Sequence, residues 1–330
     1  MLEVRTDLPK GLLDLEPNEL SKVLKGPTLI HLKGEVDEPL FLSTLLHGNE
    51  TSGFYALKKF FKKYDPHHLP RSVSLFLGNI PAASEGLRKL EDQEDYNRIW
   101  AGGDSEAEKM ATSVVDQMKK RNTFASIDIH NNTGKNPFYA CVNRLLPEFV
   151  TLGSYFSKTL VYFIEPHEAL SMAFSKFCPS TTVECGKPGE GIEEVFKFIE
   201  KVYLSSEIPR KKASELDMKI YHTLARVMIP VEAKVSFDQE DKDCDFCFIK
   251  DFEELNFEEL PIGTLLGKRN TKEFEIIILD ETGVDISDHL INYEGDQIVS
   301  MQPIIPSMFT KDLKVIKQDC LGYLMEKIEL

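Results

Sequence analysis

The chain has 330 residues, 42% of them apolar, and its 39 basic and 54 acidic side chains leave a formal charge of -15. That length exceeds the ~250–300 residues over which a single core keeps growing, so two domains are expected. The acidic balance without a sustained basic cluster argues against nucleic acid as a partner, and no apolar run approaches the ~20 residues that span a bilayer.

The opening Met1-Leu2-Glu3-Val4-Arg5-Thr6-Asp7 lacks the basic and apolar regions of a secretory leader. A cytoplasmic protein is expected. Six cysteines, at 141, 178, 185, 244, 247 and 320, are too sparse for a secreted disulfide scaffold and read as free thiols. Cys244-Asp245-Phe246-Cys247 has no second pair, so it reads as two thiols beside a hairpin.

In chain order, strands are predicted at Leu40 to Leu46, Val73 to Leu77, Ser126 to His130, Leu160 to Ile164 and Thr181 to Cys185. Between them, Thr51 to Tyr64, Ser105 to Lys120 and Gly191 to Leu204 carry apolar residues at helical spacing. This β-then-α order predicts an α/β fold, a largely parallel sheet covered by helices on both faces. From about Arg210 the texture changes to short alternating runs, Ile220 to Pro230, Glu273 to Leu279 and Leu321 to Ile328, which predict an all-β appendage. Within it, Asp238 to Glu259 is rich in Asp and Glu and reads as a solvated loop or hairpin surface.

The chemistry-bearing residues fall at predicted strand ends, where ligands of such folds gather. His47-Gly48-Asn49-Glu50 places an imidazole and a carboxylate three residues apart, half of a zinc site if the backbone bends tightly, which Gly48 permits. The plainer alternative is a helix start in which Glu50 faces the positive end of the dipole. Asp128-Ile129-His130 closes a strand, and residues two apart face the same way, so His130 can be a third ligand with Asp128 behind it. A capped strand end with a hydrogen-bonded imidazole is the alternative there. Glu184 ends an apolar strand, where partial burial raises a carboxyl toward general-base duty. Arg98, within Asp95-Tyr96-Asn97-Arg98, offers a fork that fits a carboxylate, and Arg88 a charge that can face an oxyanion. Each of these could equally serve in a local salt bridge.

The order His47-Gly48-Asn49-Glu50, Gly78-Asn79-Ile80-Pro81-Ala82, Arg88, Asp95-Tyr96-Asn97-Arg98, Asp128-Ile129-His130-Asn131 and Val183-Glu184-Cys185-Gly186 resembles the succinylglutamate desuccinylase and aspartoacylase family, which is zinc-carboxypeptidase-like. The resemblance implies an α/β/α sandwich with a mixed, largely parallel sheet over residues 1–210. It also implies a smaller C-terminal β domain over 211–330 that restricts the active-site entrance. It implies one Zn2+ per chain, held by His47, Glu50 and His130, with Glu184 activating water and Arg88 polarising the scissile carbonyl. Asn97 and Arg98 would hold a carboxylate of the substrate, and Asn131 would line the pocket. Two departures stand out: Ile80 separates Asn79 from Pro81, and Phe174, with Lys176 nearby, stands where aspartoacylases carry a basic residue. The expected reaction is hydrolysis of a linear amide in a small N-acyl amino acid. The alternatives are a zinc carboxypeptidase acting on peptides or cell-wall peptides, and a non-catalytic zinc-binding module.

Overall fold

In the computed structural model, which describes residues 1–329, the chain divides into two units. One comprises Met1–Asn131 and Phe138–Ile220, the other Asn132–Pro137 and Tyr221–Glu329.

The first unit is built on β1 (Glu3–Arg5), β2 (Thr28–Leu32), β3 (Gly34–Thr44), β4 (Leu69–Leu77), β5 (Ala125–His130), β6 (Tyr139–Val142), β7 (Thr159–Tyr162) and β8 (Ser180–Glu184). Their spatial order is β1-β2-β4-β3-β5-β8-β6-β7. The central strands β4, β3, β5 and β8 run parallel, while β2 and β6 each pair antiparallel with their inner neighbour. The helices are α1 (Ser52–Lys63), α2 (Ile80–Glu85), α3 (Glu106–Lys120), α4 (Pro147–Ser154), α5 (Leu170–Phe174) and α6 (Ile192–Tyr203).

Helices cover both faces of this sheet. On one face Phe41 of β3 and Phe76 of β4 share a core with Trp100, Met110 and Val114 of the α3 region and with Phe174 of α5. Thr44, three residues beyond Phe41, projects to the opposite face. There it meets α1 so closely that a Cβ on Gly53 would lie 2.2 Å from its Oγ1. The result is the expected α/β sandwich with a mixed, largely parallel sheet. Local sequence explains the helix limits: Ser105 Oγ accepts from Glu108 N at 3.1 Å while the Glu108 carboxylate accepts from Ser105 N at 2.9 Å, a reciprocal box that starts α3.

The second unit contains β9 (Lys219–Met228) from Tyr221 onward, β10 (Val235–Ser236), β11 (Phe246–Phe248), β12 (Leu265–Arg269), β13 (Ile277–Asp280), α7 (Ser287–Leu290), β14 (Ile291–Glu294), β15 (Gln297–Ser300), β16 (Ile305–Ser307), α8 (Leu313–Gln318) and β17 (Gly322–Ile328). β10-β11-β12-β15-β14 form one sheet, and β9, β13, β16 and β17 pair among themselves. It is a small β unit, but α7 and α8 make it less than all-β.

Three further expectations are corrected. The acidic stretch Asp238 to Glu259 is not simply solvated surface, because Phe246, Phe248 and Phe252 are fully buried and Phe252 stacks on Phe309 at 4.4 Å. Acidic residues flank these rings, Asp245 before Phe246 and Asp251 and Glu253 on either side of Phe252, so composition hides a core segment. Cys244 and Cys247 are not free thiols but a disulfide, their Cα atoms 6.2 Å apart. The other four cysteines are free and buried. Finally, β3 ends at Thr44 rather than Leu46, because Leu45 adopts a left-handed φ of 59°.

Candidate metal centre

The turn after β3 is what aims His47. Leu45 is held in its left-handed conformation from the adjoining strand exit: Gly78 N donates to Thr44 O at 3.1 Å and Asn79 N to Leu45 O at 2.6 Å. Asn79 in turn caps α2, its Oδ1 accepting from Ala82 N at 3.2 Å. The motif around Gly78 and Asn79 therefore shapes the site from outside it. Gly48 serves close packing rather than a special φ: a Cβ there would lie 2.2 Å from Ala83 N and 2.3 Å from Ala82 C.

His47, Glu50 and His130 are buried and bring one ligand atom each within 4.8 Å of one another. His47 Nδ1 meets Glu50 Oε1 at 2.7 Å, and His130 Nδ1 meets Glu50 Oε2 at 2.8 Å. Both imidazoles thus turn Nδ1 toward the same carboxylate. Their Nε2 atoms point outward to two further carboxylates, His47 to Asp95 Oδ1 at 2.9 Å and His130 to Asp128 Oδ2 at 2.8 Å. An outward carboxylate on each imidazole is the arrangement that fixes the orientation of metal-ligating histidines.

Sequence reasoning read Asp95 as a local salt-bridge partner of Arg88 and Arg98, and the pair with Arg88 is present, but it missed the partnership of Asp95 with His47. A carboxylate 48 positions from His47 carries no local signal of such a partnership. Asp128 was legible, because period-two alternation places it on the side of His130.

The electrostatics favour a cation. Glu50, Asp95, Asp128 and Glu184 are gathered here against Arg88, which pairs with Asp95 Oδ2 at 3.1 Å and lies 3.7 Å from Glu50 Oε1. Burial opposes ionisation of Glu50, but His47 and His130 outweigh it and hold the carboxyl below its ordinary range. Asp95 is held well below its ordinary value in the same way, by His47 and Arg88 against burial. Burial and Arg88 pull the His47 imidazole down, yet Glu50 and Asp95 prevail and raise it. His130 rises well above its ordinary value for the corresponding reason, Asp128 and Glu50 prevailing over burial. A divalent cation can occupy the role that protons play in this cluster. The donor set, the converging Nδ1 atoms and the surplus of buried carboxylates all fit one.

Glu184 ends β8 directly across from His130, its register partner in β5. It is buried, and its Oε2 accepts no hydrogen bond among the described residues. Burial pushes its carboxyl up to about 7.

The remaining predicted residues are placed less simply. Asn97 is tied into the fold, its N donating to Asp95 Oδ1 at 2.8 Å and its Oδ1 accepting from Leu170 N at 3.2 Å. Arg98 Nη1 donates to Asn97 O at 3.0 Å. Asn131 is buried, with its amide bonded to Ser52 and to the loop after Glu184. Three cations that could meet a second substrate carboxylate, Lys135, Arg144 and Lys187, are placed as follows: Lys135 pairs with Glu254, both within the second unit. Arg144 follows β6, which runs antiparallel to β8, and donates to Ser175 O at 3.3 Å, at the end of β8 away from Glu184. Lys187 lies three residues beyond Glu184. In the second unit, Tyr293 accepts Ile276 N on its hydroxyl at 3.1 Å and stacks under Arg269.

Fold and site together define an α/β protein with a candidate His-Glu-His metal centre at the carboxyl ends of its parallel strands. Its likeness is to one family: residues 37–149 match the model of the succinylglutamate desuccinylase/aspartoacylase catalytic domain, as the ordered motifs indicated. Solved structures share the fold over most of the chain. A succinylglutamate desuccinylase/aspartoacylase from Rhodobacter sphaeroides has 15% identity and a TM-score of 0.61, covering 91% of this chain and 88% of that one. The succinylglutamate desuccinylase from Chromobacterium violaceum has 14% identity and a TM-score of 0.53, covering 90% and 87%. Murine aminoacylase 3 has 16% identity and a TM-score of 0.52, covering 89% and 96%. No curated protein matches the sequence significantly. No helix among the described residues is long and apolar enough to cross a membrane.

Proposed function

We propose that this chain is a zinc-dependent amidohydrolase that cleaves small N-acyl amino acids in the cytoplasm. The observation that carries the reading is the cluster itself: two Nδ1 atoms and one carboxylate converge, and a buried glutamate with its carboxyl raised to about 7 stands across the strand from His130. His47, Glu50 and His130 would hold one Zn2+. When bound, the metal supplies Lewis acidity, lowering the pKa of water and drawing charge from the acyl oxygen.

The rest of the chemistry belongs to side chains of this chain. Glu184, in its ionised form, takes a proton from the attacking water as the oxygen adds to the amide carbon. Arg88 faces the negative charge that develops on the acyl oxygen. The C–N bond then breaks, and Glu184 returns its proton to the departing nitrogen, so that acid and free amine are the products. A raised carboxyl pKa suits both halves of this transfer, because the group must give up the proton as readily as it took it. Arg98 and Asn97 would hold the carboxylate of the amino-acid portion, Arg98 through its planar fork.

The test pairs a metal measurement with a substrate panel. Glu184→Gln should retain zinc at wild-type stoichiometry and lose turnover by about 100-fold or more, within the range expected for general acid–base groups. N-acyl amino acids should be cleaved and peptides left intact. Full activity in Glu184→Gln refutes the role of the base, and cleavage of peptides alone refutes the substrate class.

A further inference from the structure

Asn131 directly follows His130, and its side chain is spent inside the protein. It is only 4% exposed. Its Oδ1 accepts from Ser52 N at 3.1 Å. Its Nδ2 donates to Gly186 O at 2.9 Å and Ser52 Oγ at 3.0 Å, with Lys187 O at 3.2 Å and Cys185 Sγ at 3.3 Å also in reach. A side-chain amide has two hydrogens to donate, so both are committed. The backbone N of the same residue donates to Glu50 Oε2 at 3.2 Å.

These bonds join three stretches far apart in sequence. The stretch 50–52 carries Glu50, the stretch 130–131 carries His130, and the stretch 185–189 begins one residue after Glu184. Secondary links reinforce the junction: Gly189 N donates to Ser52 Oγ at 3.0 Å, and Cys185 N and Sγ both donate to His130 O, at 3.1 and 3.0 Å. The arrangement also answers a need of α1. Its N-cap, Thr51, makes no side-chain cap bond, and a helix start leaves its first N–H groups unsatisfied. Asn131 Oδ1 satisfies one of them from the residue just after β5.

We propose that Asn131 is a positioning residue, the clamp that sets the spacing of Glu50, His130 and Glu184, and not the pocket-lining group that the family resemblance implies. A pocket residue keeps a donor or acceptor turned to the ligand, whereas this amide has given both donors to the two chain segments that flank its own in the site. The inference rests on the metal-dependent reading above and specifies how this chain holds that site together.

The experiment measures Co2+ binding by calorimetry and by the visible absorption of the Co2+-loaded protein, for the full chain, Asn131→Ala and Ser52→Ala. Metal-free melting curves and circular dichroism report folding. Loss of an outer partner of a metal site typically costs about 10- to 100-fold in affinity. That weakening is expected for folded Asn131→Ala, with an altered Co2+ spectrum, a reduced kcat and a KM near wild type. Ser52→Ala, which leaves the bonds to Gly186 O and Lys187 O, should show the same changes in milder form. Wild-type affinity and spectrum in Asn131→Ala, with only KM raised, overturn the proposal. If Asn131→Ala does not fold, Ser52→Ala decides: weakened binding with an altered spectrum supports the clamp and wild-type values overturn it. A wild-type chain that takes up no metal sinks the functional reading itself, an outcome distinct from a variant that binds as well as wild type.

Discussion

His130 and Glu184 are register partners on the adjacent parallel strands β5 and β8, so a candidate metal ligand and a candidate base are fixed side by side by backbone pairing. Neither depends on a flexible loop for its position. That pairing makes the candidate site a property of the sheet, and consequences for its surroundings can be measured.

The outward carboxylates should matter almost as much as the candidate ligands they hold. Removing Asp95 leaves His47 Nε2 without its acceptor at 2.9 Å, and removing Asp128 does the same to His130 at 2.8 Å. Each of Asp95→Ala and Asp128→Ala should lower zinc affinity by about 10- to 100-fold in a competition titration against a chromogenic chelator. Unchanged affinity in both variants would mean that the imidazoles need no outward anchor.

Gly48 should be intolerant for a steric reason. Its Cβ would strike backbone atoms of Ala82 and Ala83, which cannot rotate away. Gly48→Ala should therefore destabilise the chain by about 1–3 kcal/mol or displace His47. Gly26→Ala, where nothing lies within 4 Å of the added carbon, is the control and should be neutral or stabilise by up to about 1 kcal/mol. Urea unfolding of the two variants gives the comparison, and equal midpoints would discount the clash.

His31 should make stability pH-dependent away from the candidate site. Burial, with the nearby charge of Arg121, holds its imidazole below 6.5, and it sits in β2 bonded to Ser74 Oγ at 2.8 Å. A depressed folded value means that the unfolded chain binds the proton first. The neutral ring's contribution is thus complete above 6.5 and is lost as pH falls toward the folded value. The slope is at most about 1.4 kcal/mol per pH unit in that window. His31→Gln should flatten the unfolding free energy between pH 7.5 and 5.5 relative to wild type; a ring titrating above 6.5 by NMR would contradict this.

The second unit should depend on aromatic packing inside its acidic segment. Phe252 lies between Phe248 at 4.7 Å and Phe309 at 4.4 Å. Phe252→Ala should cost about 3–5 kcal/mol by leaving a cavity in a core with no polar substitute. A thermal melt unchanged from wild type would show that this ring is dispensable.

Legibility in the sequence followed the length and regularity of each element. Helices α1, α3 and α6 lie within a residue of the limits read from the helical spacing of apolar residues. Strands β1, β2 and β6 went unseen, being three to five residues long with no alternation to mark them. The strand exits at His130 and Glu184 were readable because apolar runs lead into them. Asp95 was not, since only the folding of the chain after α2 against the turn after β3 brings it to His47.

By itself the sequence determined the chemical inventory: which imidazoles and carboxylates stand at strand ends, in what order, and that an α/β sheet would carry them. Those features are local, because hydrophobic period and turn chemistry are written within a few residues. Tertiary structure alone decided the partnerships, Asp95 with His47, Asn131 with Ser52 and Gly186, and the burial that lifts the Glu184 carboxyl to about 7. Hydrogen bonds and desolvation act over a few ångströms of space, and that distance is set by packing between segments that the chain keeps far apart.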